Sequence, residues 1–197
     1  MLPEGPNPAF IDLFTKTFGL DEDEFQKFTD HFYIRHISKK DYYLRAGEYC
    51  TAKAYLHKGC MRNFVVDEKG HERILFFPFE DWWVGDFESY YSGKPGTNYV
   101  QALEDCTLLM IDRADFSRLE KEIPKLQQWY VIKMAPAASA SRKRLEEMKT
   151  LSPEERYLAL IEKQPFIFRR VPLHYIAAYL NIEAPSLSRM RKRLSGK

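Results

Sequence analysis

No apolar run in the 197 residues approaches the ~18 needed to cross a bilayer, so no membrane span and no membrane partner is expected. The opening residues MLPEGPNPAF have neither a basic start nor an apolar stretch, which argues against a secretory signal. Cysteine is scarce. Cys50, Cys60 and Cys106 form an odd, scattered set with no CxxC pair. That spacing suits neither a zinc ribbon nor a disulfide framework and fits reduced thiols in a cytoplasmic protein. The same scatter leaves nothing to hold an iron–sulfur cluster. His31, His36, His57 and His71 are dispersed too, and no two histidines stand two apart, so the HxH of a metal-binding cupin is missing. There is no Gly-x-Ser-x-Gly elbow and no P-loop. With no nucleophile–base pair and no metal constellation, the sequence offers no catalytic residues and no metal ligands, and a non-enzyme is expected.

What is present is an ordinary globular composition, 45% hydrophobic and 29% charged. The length fits one large domain or two small ones. The net charge of +2 conceals an asymmetry. Residues 169–197 hold seven Lys and Arg against one acid, Glu183, for a charge of +6, and the remainder stands at −4. A basic end on an acidic body suits either an anionic partner for that end or a solvated tail.

Residues 10–35 read as helical, with Phe25, Phe28, Phe32 and Ile34 near one face. From about Ser38 short aromatic and β-branched runs alternate with turn signals, which predicts many short strands in a roll, barrel or sandwich. MRNFVVDEKGHERILFF reads as a hairpin with Lys69-Gly70 at its tip, and YVQALEDCTLLMI as two further strands. The aromatic pairs in DWW (81–83) and YY (90–91) fit a core or an exposed lid or partner surface equally well. Helix returns after Asp112, and Pro124 can open a long one. Leu126, Tyr130, Met134, Ala137, Ser141, Leu145 and Met148 recur along it every three or four residues, a seam for the chain's own core or for a second helix in a dimer. The small residues of APAASAS allow close helix approach, and Pro136 predicts a bend near 132–136. Ser152, Pro153 and Glu155 spell a capping box, so a boundary falls near 150.

The last stretch, VPLHYIAAYLNIEAPSLSRMRKRL, carries the most specific pattern. Ile176 and Leu180 turn inward, and Ala177 is small where two helices cross. Asn181 can take the left-handed conformation that ends a helix, Ile182 plugs the turn, and Leu187 and Met190 face back from a second helix. Those demands are the grammar of a helix-turn-helix. The outward set on the second helix suits duplex DNA: Ser186 and Arg189 for base edges, with Ser188, Arg191, Lys192 and Arg193 on phosphates, joined by Arg169 and Arg170 from upstream.

A β-segment, a long helix and a terminal helix-turn-helix together resemble the Crp/Fnr family of bacterial transcription regulators, over nearly the whole chain. VGDFESYYSGKPGTNYVQALEDCTLLMI (84–111) is similar to the family's phosphate-binding cassette and the strands after it, and ADFSRLEKEIP (114–124) to its lead into the dimer helix. The resemblance implies an α+β fold: a cyclic-nucleotide-binding-type β-roll over 1–123, a dimerisation helix and hinge over 124–150, and a DNA-binding helix-turn-helix domain over 151–197. It implies a homodimer on palindromic double-stranded DNA, with RNA polymerase as a further partner and an effector of unspecified chemistry. The effector pocket would draw on Gly85, Asp86, Gly96, Thr97 and Asn98, with Ser141 at the adenine-contacting position of the long helix. The family's Gly-Glu pair is here Gly85-Asp86, and its phosphate-binding Arg-Ser pair falls on Gly96-Thr97. With no arginine there, cyclic AMP is not the expected cofactor. Pro185 replaces the glutamate that often starts the family's recognition helix, so the usual target sequence does not carry over although the position still faces the bases. The family's β-wing would follow Leu194, where the sequence has only three more residues. The competing expectation is a ligand-binding sensor or adaptor with this fold and no DNA function.

Overall fold

The computed structural model describes residues 7–195. Helix α1 (Pro8–Asp12) is capped by Asn7, whose side chain accepts from the Phe10 N–H at 2.8 Å, and runs into one π-helical turn, Leu13–Thr17. Helix α2 (Glu22–Thr29) starts on a capping box made by Asp21 and Glu24. The helical stretch expected over 10–35 is therefore broken at Gly19 and stops at Thr29. Ile34 belongs instead to strand β1 (Tyr33–Ile37), because pairing with a strand far along the chain outweighs the local period.

The strands β2 (Tyr42–Leu44), β3 (Ala52–Lys58), β4 (Met61–Val66), β5 (Glu72–Phe76), β6 (Trp83–Val84), β7 (Tyr99–Ala102) and β8 (Cys106–Asp112) complete two antiparallel sheets. Their orders are β1-β8-β3-β6 and β2-β7-β4-β5. The expected hairpin is β4–β5. At its tip the Asp67 carboxylate accepts from the N–H groups of Lys69 and His71, and Gly70 turns the chain at φ +81°. Helix α3 (Phe87–Ser92) sits between β6 and β7. Strands β7 and β8 are neighbours in sequence but lie in different sheets, so Leu103–Asp105 carries the chain across the roll.

Three apolar clusters hold the molecule. One fills the roll between the sheets, with Leu56, Met61, Val100 and Leu108 fully buried. A second is aromatic: Phe10, Phe14, Phe28, Tyr55, Phe116 and Trp129 pack the N-terminal helices and α4 (Arg113–Glu122) onto the outer face of the first sheet. Residues Pro124–Gln128 form a 3-10 segment, and the long helix α5 (Trp129–Thr150) begins after it rather than at Pro124. It is assigned as one helix across Pro136. Then come α6 (Pro153–Lys163), α7 (Ile167–Arg170), α8 (Leu173–Leu180) and α9 (Ala184–Ser195). The third cluster joins these helices to the roll: Cys60, Phe64, Ile74, Phe77 and Phe79 share it with Tyr157, Ile167, Ile176, Leu180 and Leu187. All three cysteines are reduced and buried, and burial raises each thiol, that of Cys106 to about 11.

Candidate functional site

Helices α8 and α9 meet as the spacing of their apolar residues requires. Asn181 closes α8 in the left-handed conformation (φ 52°, ψ 50°), and the Ile182 N–H returns to the Ala177 carbonyl at 2.9 Å. Ile176, Ala177, Leu180 and Leu187 are buried at the crossing. The opposite side of α9 is open: Pro185, Ser188, Arg189, Lys192 and Arg193 are exposed and Ser186 is half-buried. The Arg189 guanidinium donates to the Ser186 hydroxyl at 3.1 Å, so the two candidate base contacts sit side by side.

The candidate phosphate contacts divide. Arg169 is exposed, and Arg191 lies over the Phe168 ring at 5.5 Å. Arg193 pairs with Glu154. Arg170 departs from the expectation of a free phosphate clamp. Its guanidinium is held by both carboxylates of Glu80 and Glu104 at 2.6–3.0 Å, with only 27% of the side chain exposed. Bonds to Glu104 and then Glu80 raise it further above the usual arginine range. In this arrangement Arg170 is a strut between α7 and the roll. Sequence reading missed that role because both acids lie in turns far upstream.

The effector-side residues converge around Asp86, which caps α3 and is 3% exposed. Its carboxylate accepts from the N–H groups of Ser89 (3.0 Å), Thr97 (2.9 Å) and Asn98 (3.3 Å). Gly96 is buried against it, and a Cβ there would come within 2.8 Å of the carboxylate. Gly85 takes φ +144° beside Cys50 and Tyr43. Ser141 makes its hydrogen bond within α5, its hydroxyl donating to the Ala137 carbonyl, and it lines a cleft together with Phe87, Glu88 and Tyr91 of α3.

Residues 34–122 match the family model of the cyclic nucleotide-binding domain. No curated protein matches the chain by sequence. Among solved structures, the regulator CLP of Xanthomonas campestris is 14% identical, with a TM-score of 0.72 over 89% of this chain and 92% of that one. FixK2 of Bradyrhizobium japonicum is 13% identical, with a TM-score of 0.73 over 84% and 85%. The catabolite activator protein of Thermus thermophilus is 22% identical, with a TM-score of 0.58 over 93% and 86%. The shared feature is the fold, from β-roll through long helix to terminal helices.

Within the cyclic nucleotide-binding domain the cassette does not fit a cyclic phosphate. No lysine or arginine pairs with Asp86 among the described residues, and the N–H groups of Gly96 and Thr97 are already engaged, by the Glu48 carbonyl and the Asp86 carboxylate. A cleft of about 1220 Å³ opens between the roll, α3, α5, α6 and α8. Trp82, Tyr91, Tyr130, Lys133, Pro136 and Arg144 line it. The aromatic pairs of the sequence split here: Trp82 and Tyr91 are exposed, whereas Trp83 and Tyr90 are buried. Among the described residues no three His, Cys, Asp or Glu side chains gather as metal ligands, and no helix is long and apolar enough to cross a membrane.

Proposed function

We propose that this protein is a homodimeric, sequence-specific DNA-binding transcription regulator of the Crp/Fnr type, acting in the cytoplasm. The observation that carries the reading is α9. It is a basic helix with its apolar side seated at an αL turn and its opposite side carrying the half-buried Ser186 and the exposed Arg189 and Lys192. Such a helix enters a major groove with its N-terminal residues on base edges. Arg189 would take guanine in a bidentate contact, and Arg169, Lys192 and Arg193 would neutralise phosphates. Arg193 would exchange its bond to Glu154 for a phosphate at little cost, because that pair is exposed. Dimerisation along α5 would set two such helices about 34 Å apart and require a palindromic site.

Selection of bound duplexes from random DNA tests this. The wild type is expected to enrich a palindrome, with affinity falling steeply as salt rises. Arg189→Ala is expected to keep general affinity and lose about 5- to 150-fold in discrimination against scrambled DNA. Equal binding of cognate and scrambled duplexes by the wild type would overturn the reading and favour a sensor or adaptor without DNA function.

A further inference from the structure

We infer that Asp86 is the built-in anion of the cassette: its carboxylate occupies the seat a cyclic phosphate would need, so the roll keeps its cassette ordered without a nucleotide. Four observations converge. The carboxylate is almost fully buried, and three N–H groups donate to it, two of them, Thr97 and Asn98, from the loop that follows α3. Gly96 is matched to it, since any side chain at 96 would start 2.8 Å from its Oδ2. An arginine at that position would therefore require the carboxylate to shift from its seat. The loop itself is pinned: the Gly47 N–H donates to the Gly96 carbonyl and the Gly96 N–H to the Glu48 carbonyl, each at 2.8 Å. The Ser89 hydroxyl ties the other side, donating to the Lys94 carbonyl at 2.6 Å and accepting from the Cys50 N–H at 3.0 Å.

An incoming cyclic phosphate would have to expel a carboxylate held by three donors and would find no cation in its place. The displaced carboxylate would lose its donors, and two anions would share the site with no counter-charge, so the exchange runs against the ligand. Isosteric replacement shows the same chemistry in reverse. In Asp86→Asn one oxygen becomes an NH2 group, which must face either the Ser89 N–H or those of Thr97 and Asn98, donor against donor.

The inference rests on the match of residues 34–122 to the cyclic nucleotide-binding domain and not on DNA binding, so the two can fail separately. Its test uses the full chain without DNA. Titration calorimetry with cyclic AMP and cyclic GMP is expected to give no saturable heat, and either nucleotide should move the wild-type Tm by less than about 1 °C. Asp86→Asn is expected to lower the Tm by about 4 °C. Asp86→Ala leaves a space the size of a carboxylate. Sodium formate should raise its Tm by about 3 °C more than sodium chloride of equal ionic strength does, with no such difference in the wild type. Saturable nucleotide binding by the wild type, an Asp86→Asn variant as stable as wild type, or formate acting alike on Asp86→Ala and wild type would each overturn the inference. The wild-type titration needs no variant to fold.

Discussion

The ammonium of Lys53 is fully buried on β3, where its Nζ donates to the Tyr91 hydroxyl at 2.8 Å. The rings of Trp129, Tyr90, Phe116 and Tyr91 surround it at 3.8, 4.0, 4.5 and 4.6 Å from Nζ. Ring faces attract a cation, but burial removes its water. Burial prevails and brings Lys53 down to about 7, against an upward pull from the Glu120 carboxylate. An unfolded chain keeps that proton up to ~10.4, so between pH 7 and pH 10 it binds one proton more than the native state. Stability contributed at this site therefore rises with pH across that window. Lys53→Met, which retains the apolar stem, should be the more stable protein at pH 6. By pH 10 its advantage should shrink by more than about 1 kcal/mol, as urea unfolding at the two pH values would measure. Invariance of the gap with pH would mean that Lys53 is not lowered. Nothing in the sequence marks Lys53, because a lysine in a strand reads as a solvent-facing residue until the helices that cover it are in place.

At the scale of elements, legibility followed the range of the deciding contact. The start of α6 was readable because Ser152 and Glu155 cap each other three residues apart. The end of α8 was readable because Asn181 tolerates αL where most side chains do not. The boundary between α2 and β1 was not, because Tyr33–Ile37 is decided by partners at 106–110. The seam expected from Leu126 to Met148 divides in the same way: Leu126, in the 3-10 segment before α5, is buried in the chain's own core, whereas Tyr130 and Leu145 on α5 are 55% and 64% exposed, as is Val131, next to Tyr130, at 66%. An open apolar edge of this length on a helix suits a second copy of that helix. Leu145→Glu is accordingly expected to weaken self-association at least about 10-fold by sedimentation equilibrium, while changing the stability of the isolated subunit by less than about 0.5 kcal/mol. A variant that associates like the wild type would count against α5 as the proposed dimer interface.

The whole molecule is held in one arrangement by arginines that cross between its parts. Arg144 on α5 donates to the carbonyls of Ile74, Leu75 and Tyr179, joining β5 to α8. Arg156 on α6 reaches the Leu180 and Leu151 carbonyls. Arg170 clamps Glu80 and Glu104. Partial burial pushes the Glu80 carboxyl up, but bonds from Arg170 and the Gly59 N–H outweigh it and hold the group below its usual range. A depressed carboxyl stabilises the fold above its unfolded pKa and loses that contribution as pH falls through its folded value. Arg170→Ala should cost about 2 kcal/mol at pH 7 and less at pH 4, measured by urea unfolding at each pH. An equal loss at both would show that the clamp is not what Arg170 provides.

The sequence by itself determined the helix caps, the αL turn, the basic side of α9 and the missing arginine at Gly96, because each depends on residue type and on neighbours within a turn or two. Only the tertiary structure decided which charges are committed. Arg170 meets Glu80 across 90 positions, Asp86 turns to N–H groups 11 and 12 residues on, and Lys53 finds Tyr91 38 residues away. A charged side chain has the same sequence signature in water, in an ion pair and in an aromatic cage. Which of these it occupies depends on the desolvation and the partners that folding brings to it.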